Sequence, residues 1–172
     1  MLLQWLRLHQ EVIAQEARAA FPDECCGFLL GTILPNGWRL EEARPATNVS
    51  PHPRIGYLLD GKEQVTVMKY AEARGLEVIG YYHSHPNGRR GPSPTDFILA
   101  GGDRSFLTPQ ELSQLPPELR NLSTPRLPDH SVQIIVALSE GRVLECSAWQ
   151  LRDDLSRFDR ITLEFLDENL KI

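Results

Sequence analysis

Two histidines and one aspartate, His83, His85 and Asp96, are of the residue types that hold a catalytic metal ion. The histidines are separated by one residue, and residues i and i+2 of a β-strand point to the same face of a sheet. Both imidazoles therefore reach one point if this stretch is a strand, whereas on a helix they would diverge. Two imidazoles and one carboxylate form a three-ligand set that leaves one coordination position for water.

The residues around this set predict the elements that position it. The apolar and aromatic stretch Leu76 to Tyr82 favours a strand that ends at the histidines, and Pro86 interrupts further strand pairing. Ser93 is typical of a helix N-cap, with Pro94 in the first helical position. Asp96 then lies in the first helical turn, across a loop from the strand end. Each fragment by itself is also compatible with a structural role. His83 and His85 could be two polar strand residues, and Ser93 with Asp96 could be a capping box alone.

The order and spacing of these residues resemble the JAMM motif of the MPN-plus zinc metalloproteases. The resemblance lies in His83-Ser84-His85 followed by Ser93-x-x-Asp96, and in an upstream Pro-x-Glu-x-Cys-Gly-like segment, here Pro22-Asp23-Glu24-Cys25-Cys26-Gly27. It extends from about Ala14 to about Leu151, with no departure at the motif positions. Five residues occupy the functional positions of the family: Glu24, His83, His85, Ser93 and Asp96.

The resemblance implies a fold and a role for each of these residues. The fold class is α/β, in the MPN or cytidine-deaminase-like group, with a central mixed, curved sheet flanked by helices. One zinc ion per chain would be held by His83, His85 and Asp96. Glu24 would act as general base and then general acid, and Ser93 would donate a hydrogen bond to the oxyanion of the tetrahedral intermediate.

The resemblance also implies a substrate. A small prokaryotic single-domain member would hydrolyse a peptide or isopeptide bond at the C-terminal Gly-Gly tail of a ubiquitin-like or sulfur-carrier protein. Two alternatives stay open. A non-haem iron oxygenase also uses two histidines and a carboxylate, but it leaves Glu24 and Ser93 without a role. A non-catalytic MPN scaffold is expected to lack ligands that are present here.

Length, composition and charge exclude several other classes. A chain of 172 residues with 41% hydrophobic and 24% charged residues predicts one soluble domain, 1–172. The net charge of −5 argues against a general nucleic-acid binder, and no apolar run is long enough to span a membrane. The three cysteines form no Cys-x-x-Cys pair, and the start lacks the features of a signal peptide. These observations predict a cytoplasmic protein with reduced, buried cysteines, and they leave the oligomeric state open.

Periodicity and turn residues predict the remaining elements. Helices are expected over 2–20, from Asp60 to about Arg74, and near 109–115. Strands are expected over 25–33, 38–43, 55–59, 131–138, 143–151 and 158–166, followed by a frayed end at 167–172. The proline-rich stretch 101–129 predicts an insertion, interpreted as a surface excursion in preference to a substrate lid.

Other candidate residues are assigned structural roles. Ser84 lies between the two histidines and is expected to face the opposite side of the strand. His9, His52 and His130 have no partner at a ligand spacing, although His52 lies in a loop that could approach the site. Arg89, in the loop between the ligands, fits either a solvated turn or a contact with an acidic substrate, as does its neighbour Arg90.

Overall fold

The computed structural model describes residues 1–120 and 131–166. Its strands are β1 (Leu2–Trp5), β2 (Cys26–Leu34), β3 (Gly37–Ala46), β4 (Glu77–His85), β5 (Val132–Ser139), β6 (Arg142–Leu151) and β7 (Phe158–Phe165). Its α-helices are α1 (Arg7–Ala20), α2 (Gly61–Ala73), α3 (Pro94–Leu99) and α4 (Pro109–Gln114). Short 3-10 turns lie at Arg104–Phe106 and Pro117–Leu119.

The described strands form one closed mixed barrel in the order β1-β3-β2-β4-β5-β6-β7. The predicted α/β class and mixed sheet are confirmed, but the sheet is closed and not merely curved. Closure depends on β1, which pairs in parallel with both β3 and β7. The prediction of a helix beginning at Leu2 is therefore wrong. Leu3 and Trp5 alternate into the core as strand residues, and the helix begins at Arg7.

Strand β4, which ends in the two histidines, lies inside the sheet. It pairs antiparallel with β2, where Cys26 lies opposite His83, and parallel with β5, where Ala137 lies opposite His85. The strand predicted at 55–59 is absent, and only an isolated bridge joins Asn48 to Leu59. This segment is a loop because it crosses above the site instead of joining the sheet.

Helices α1 and α2 cover opposite faces of the sheet. Ile13 and Ala17 of α1 belong to the same buried cluster as Tyr82, whereas Val67 of α2 clusters with Tyr81. Consecutive strand residues face opposite sides of a sheet. His83 and His85 of β4 therefore face the same side as Tyr81, which is the side that α2 covers. Both histidines are thereby directed to the same side.

Several other predictions are confirmed. The β2–β3 and β5–β6 hairpins, the last strand, helix α2 after its Asp60 cap and helix α4 all form. Cys25 and Cys26 are buried free thiols, and Cys146 is a half-buried one. The predicted frayed end at 167–172, residues 121–130 and His130 lie outside the described residues. The single-domain organisation and the insertion at 101–129 stay predictions.

Among the described residues, no helix combines the length and the apolar composition needed to cross a membrane.

Candidate metal centre

The two histidines of β4 are held in the interior of the protein. His83 is fully buried and His85 is 3% exposed, because both lie on a strand with neighbours on either side. Ser84 points the other way, where its Oγ accepts a hydrogen bond from the Cys25 backbone N–H at 2.8 Å. Its structural role is therefore as predicted, and it joins β4 to the residue that follows Glu24.

Asp96 is aimed at the histidines by the first turn of α3. The Ser93 Oγ accepts a hydrogen bond from the Asp96 N–H at 3.1 Å, and the Asp96 Oδ2 accepts one from the Ser93 N–H at 2.5 Å. This reciprocal capping box, with Pro94 following the cap, fixes the side chain that faces the strand end. The capping hydrogen bonds predicted at Ser93 are therefore also the contacts that direct the Asp96 carboxylate towards the histidines.

The three side chains converge on one point. The His83 and His85 Nε2 atoms lie 3.1 Å apart, and they lie 3.2 Å and 3.1 Å from Oδ1 and Oδ2 of Asp96, respectively. Tetrahedral zinc with ligand bonds of about 2.0–2.1 Å separates its ligand atoms by roughly 3.3 Å. Each imidazole nitrogen is therefore close to that spacing from the other nitrogen and from one Asp96 oxygen, and the three residues are the one such group among the described residues.

The electrostatics of the group suit a cation. Burial lowers the pKa of His83, opposed by the charge of Asp96, so the neutral imidazole that a metal requires is favoured. Burial alone would raise the pKa of Asp96, but the charge of a protonated His83, followed by hydrogen bonds from both imidazoles, holds it well below its usual range. The ionised Asp96 carboxylate contributes a negative charge to the donor set.

His85 is oriented by a backbone hydrogen bond. Its Nδ1–H donates to the Arg89 carbonyl at 3.1 Å, which leaves Nε2 as the atom that carries the lone pair. The Arg89 side chain in turn donates to the Gly91 and Pro92 carbonyls, so it shapes the loop between the ligands. Arg89 thus has a turn role, and because it is exposed and lines a cleft with Ser93, its contact with an acidic substrate stays a prediction.

Glu24 is buried beside this group. It is 5% exposed, and its Oε2 has no hydrogen-bond partner among the described residues. Burial, followed by the negative charge of Asp96, raises the pKa of Glu24 to about 9. A buried carboxyl group that does not belong to the ligand set and has an unpartnered oxygen is suited to exchange protons.

In zinc-free protein, Glu24→Gln is expected to raise the melting temperature, with a gain that grows as the pH rises. The unfolded chain loses the Glu24 proton near its ordinary pKa of 4.5, whereas the folded chain retains it to about 9. The free energy of unfolding of the parent therefore falls across this window, and glutamine removes that loss. Thermal unfolding at about pH 5 and about pH 8 measures the difference. Asp23→Asn removes an exposed carboxylate next to Glu24, and an equal gain in that control would contradict the effect of burial.

Ser93, which caps the helix that carries Asp96, also lines a surface cleft. The cleft has a volume of about 240 Å³ and is lined by Ser93, Pro94, Phe97, Trp149 and Phe158, among others. The Ser93 oxygen accepts the capping hydrogen bond through a lone pair, so its hydroxyl proton can be donated elsewhere. Capping and oxyanion binding are therefore compatible at this residue.

The two other histidines of the described residues, His9 and His52, do not belong to the candidate ligand group. His9 is buried, accepts a hydrogen bond from the Leu6 N–H and donates one to the Glu41 carbonyl, which is a structural arrangement. His52 is exposed in the loop above the site and lines a small cleft with Tyr57. Sequence reasoning missed Asn48 and Tyr57 of this loop, because neither carries a motif and their contacts are long-range.

The fold and the site define a class of protein, the JAB/MPN proteins. The family model for prokaryotic homologs of the JAB domain matches residues 7–121, and this chain belongs to that family. The match includes Glu24, His83, His85, Ser93 and Asp96.

Named relatives match the chain over part of their length. The chain is 39% identical over 75 residues to a desampylase of Haloferax volcanii, covering 44% of this chain and 52% of the relative. It is 35% identical over 82 residues to a probable TtuB-protein conjugate cleaving protease of Thermus thermophilus, covering 41% and 55%. It is 40% identical over 85 residues to a CysO-cysteine peptidase of Mycobacterium tuberculosis, covering 49% and 56%. The chain thus spans about half the length of the curated relatives that it matches.

Solved structures share the fold over nearly the whole chain. A protein of Desulfitobacterium hafniense superposes with a TM-score of 0.71 at 23% identity, covering 97% of this chain and 94% of its own. AF2198, a JAB1/MPN domain protein of Archaeoglobus fulgidus, superposes with a TM-score of 0.53 at 18% identity, covering 97% and 100%. At these identities the likeness establishes the MPN fold alone.

Proposed function

We propose that this chain is a zinc-dependent metallopeptidase that cleaves the peptide or isopeptide bond at the C-terminal Gly-Gly tail of a ubiquitin-like or sulfur-carrier protein. The observation that carries the proposal is the convergence of His83, His85 and Asp96 at 3.1–3.2 Å in the interior. A buried carboxyl group outside that set, Glu24, accompanies them. Zinc at this point would act as a Lewis acid towards water and the substrate carbonyl, and its charge would lower the pKa of Glu24 towards neutrality.

Glu24 is the proton carrier of the proposed reaction. Its carboxylate accepts a proton from the attacking water as the water oxygen bonds to the substrate carbonyl carbon. The same proton is then delivered to the leaving nitrogen as the carbon–nitrogen bond breaks. The remaining proton of the water ionises from the new carboxyl group, so the products are a carboxylate, an amine and one released proton. The Oε2 atom supports this role, because no hydrogen bond from the described part of the chain has to be broken first.

Ser93 is the proposed donor to the oxyanion. Ser93 lines the cleft, and its hydroxyl oxygen and backbone N–H both contact Asp96. A donor placed where negative charge develops on the carbonyl oxygen stabilises the tetrahedral intermediate.

The substrate class is supported by the relatives. Their names describe a desampylase, a protease that cleaves TtuB-protein conjugates and a peptidase for CysO-cysteine. A Gly-Gly tail also suits a buried centre, because residues without a side chain let the substrate backbone pass close to the walls of a narrow groove.

Metal content tests this proposal. Protein prepared without chelator is expected to contain zinc near one per chain by elemental mass spectrometry, and Asp96→Ala is expected to lose it. Asp96→Asn, which keeps an oxygen to accept from the Ser93 N–H, controls for loss of the α3 cap. Cleavage of Gly-Gly-tailed conjugates by the zinc-loaded protein would then establish the activity. Bound iron would support an oxygenase instead, and no metal after zinc is added back would leave a scaffold.

Replacing Ser93 by alanine is expected to lower kcat by about 100-fold or more, with a smaller change in KM. The reason is that the lost hydroxyl donor acts on the oxyanion, which exists only after binding. Steady-state kinetics on a Gly-Gly-tailed conjugate measure the two constants. Thr108→Ala is the matched control, since Thr108 forms the same kind of capping box on α4 away from the ligands. An unchanged kcat in Ser93→Ala would show that Ser93 is only a cap.

A further inference from the structure

Asn48 joins two segments that border the metal centre. Its Nδ2 donates to the Glu24 carbonyl at 3.0 Å and to the Gly56 carbonyl at 3.3 Å. Its Oδ1 accepts from the Ser50 N–H at 2.9 Å and from the Leu58 N–H at 3.1 Å. Both N–H groups and both oxygen lone pairs of the Asn48 side-chain amide are thus occupied by hydrogen bonds. One side chain therefore sets the distance between the backbone of Glu24 and the loop segment 56–58.

The residue at the centre of that loop segment contacts a proposed ligand. The Tyr57 ring is 7% exposed and stacks on the His83 imidazole, with ring centroids 4.6 Å apart and an angle of 24° between the planes. Tyr57 lies between Gly56 and Leu58, the two residues whose backbone Asn48 binds. The position of the ring is consequently coupled to the position of Asn48.

His83 needs such support more than His85 does. A ligating histidine ordinarily donates its second ring N–H to an acceptor, which fixes the orientation of the ring. His85 has the Arg89 carbonyl for this purpose, whereas the buried Nδ1 of His83 has no hydrogen-bond acceptor among the described residues. The flat face of Tyr57 is the contact that limits rotation of the His83 ring on that side.

We propose that Asn48 and Tyr57 are positioning residues that hold Glu24 and His83 in a fixed relation to each other. Tyr57 fixes the plane of the His83 imidazole by stacking, and Asn48 fixes both the loop that carries Tyr57 and the backbone of Glu24. The inference rests on the proposed function for the roles of zinc and Glu24. It assigns no contact with substrate to either residue.

The proposed role of Tyr57 is tested by measuring zinc affinity in competition with a chromophoric chelator. Tyr57→Leu is expected to weaken zinc binding by about 10–100-fold, the usual effect of losing an outer support of a metal ligand. Tyr57→Phe keeps the stacked ring and is expected to bind like the parent. Phe28→Leu is the matched control, because Phe28 is a fully buried aromatic residue that packs on Tyr81. It should lower stability while leaving zinc affinity unchanged.

A second measurement requires neither zinc nor activity. In metal-free protein with ¹⁵N-labelled imidazoles, the His83 ring resonances are expected to broaden or shift in Tyr57→Leu and to stay in place in Tyr57→Phe. Unchanged His83 resonances together with unchanged zinc affinity in Tyr57→Leu would overturn the role of Tyr57. A parent protein that binds no zinc would overturn the proposed function instead, which separates the two failures.

The proposed role of Asn48 is tested with the variants Asn48→Asp and Asn48→Ala. The aspartate keeps an oxygen for the Ser50 and Leu58 N–H groups but loses both donors to Glu24 and Gly56. We expect kcat to fall by at least about tenfold with little change in KM, because misplaced proton transfer slows chemistry and not binding. Zinc affinity should fall as in Tyr57→Leu. If both variants lose only melting temperature, with kcat and zinc affinity unchanged, Asn48 is a loop residue alone.

Discussion

Replacing Glu24 by glutamine is expected to lower kcat by about 10²–10⁴-fold while zinc stays bound at the level of the parent. Glutamine has nearly the same shape, but its amide cannot take up and release the proton of the attacking water. The substitution should leave the metal in place because Glu24 lies outside the group formed by His83, His85 and Asp96. The loss should therefore appear in the chemical step and not in assembly of the site.

Single-turnover cleavage of a Gly-Gly-tailed conjugate, with zinc content measured on the same sample, separates these effects. Asp23→Asn serves as the control, since it removes the charge of the adjacent, exposed carboxylate, and it is expected to keep full activity. Full activity in Glu24→Gln would remove Glu24 from the mechanism. Loss of zinc in that variant would instead make Glu24 a ligand.

Zinc is expected to raise the melting temperature of the metal-free protein by about 8–16 °C at a free concentration of about 1,000 Kd. A ligand that binds only the folded state stabilises it by about 4 kcal/mol at that concentration, and a chain of this size gains about 2–4 °C per kcal/mol. The physical source is the buried donor set. Without a cation, the Asp96 carboxylate and two imidazole nitrogens face one another at 3.1–3.2 Å, away from water.

Differential scanning calorimetry with and without zinc measures this shift. Asp96→Asn is expected to lose most of it, because a neutral amide oxygen is a poor substitute for the charged ligand. Calcium provides a second control, since it prefers all-oxygen sites and should bind weakly to two imidazoles. A shift of equal size in Asp96→Asn would place the zinc elsewhere on the protein.

The parts of the site that could be predicted depend on short-range rules. The spacing of His83 and His85 required only the two-residue repeat of a strand, and β4 ends at His85 as expected. Ser93 and Asp96 required only the preferences of a helix N-terminus, and α3 begins as predicted. Residue type and spacing indicated His83, His85 and Asp96, whereas the roles of Glu24 and Ser93 came from the resemblance to a family, whose model matches residues 7–121.

The closure of the barrel could not be predicted in the same way. Leu2–Trp5 is short and apolar and continues into a helical pattern, so its periodicity favoured one long helix. It forms a strand because β3 and β7 each present an edge that β1 pairs with. Leu2 pairs with Thr162, about 160 positions away, and the sequence near Leu2 contains no pattern that predicts such a distant pairing.

The same distinction applies within the metal centre. Residue type and local spacing were sufficient to specify the candidate ligands and to predict that His83 and His85 share a face. The burial of Glu24, its coupling to Asp96 and the stacking of Tyr57 on His83 arise only when β2, β4 and the loop before α2 come together. Local preferences act over a few residues, whereas distances between ligands, and the pKa values that follow from them, are set by contacts between distant parts of the chain.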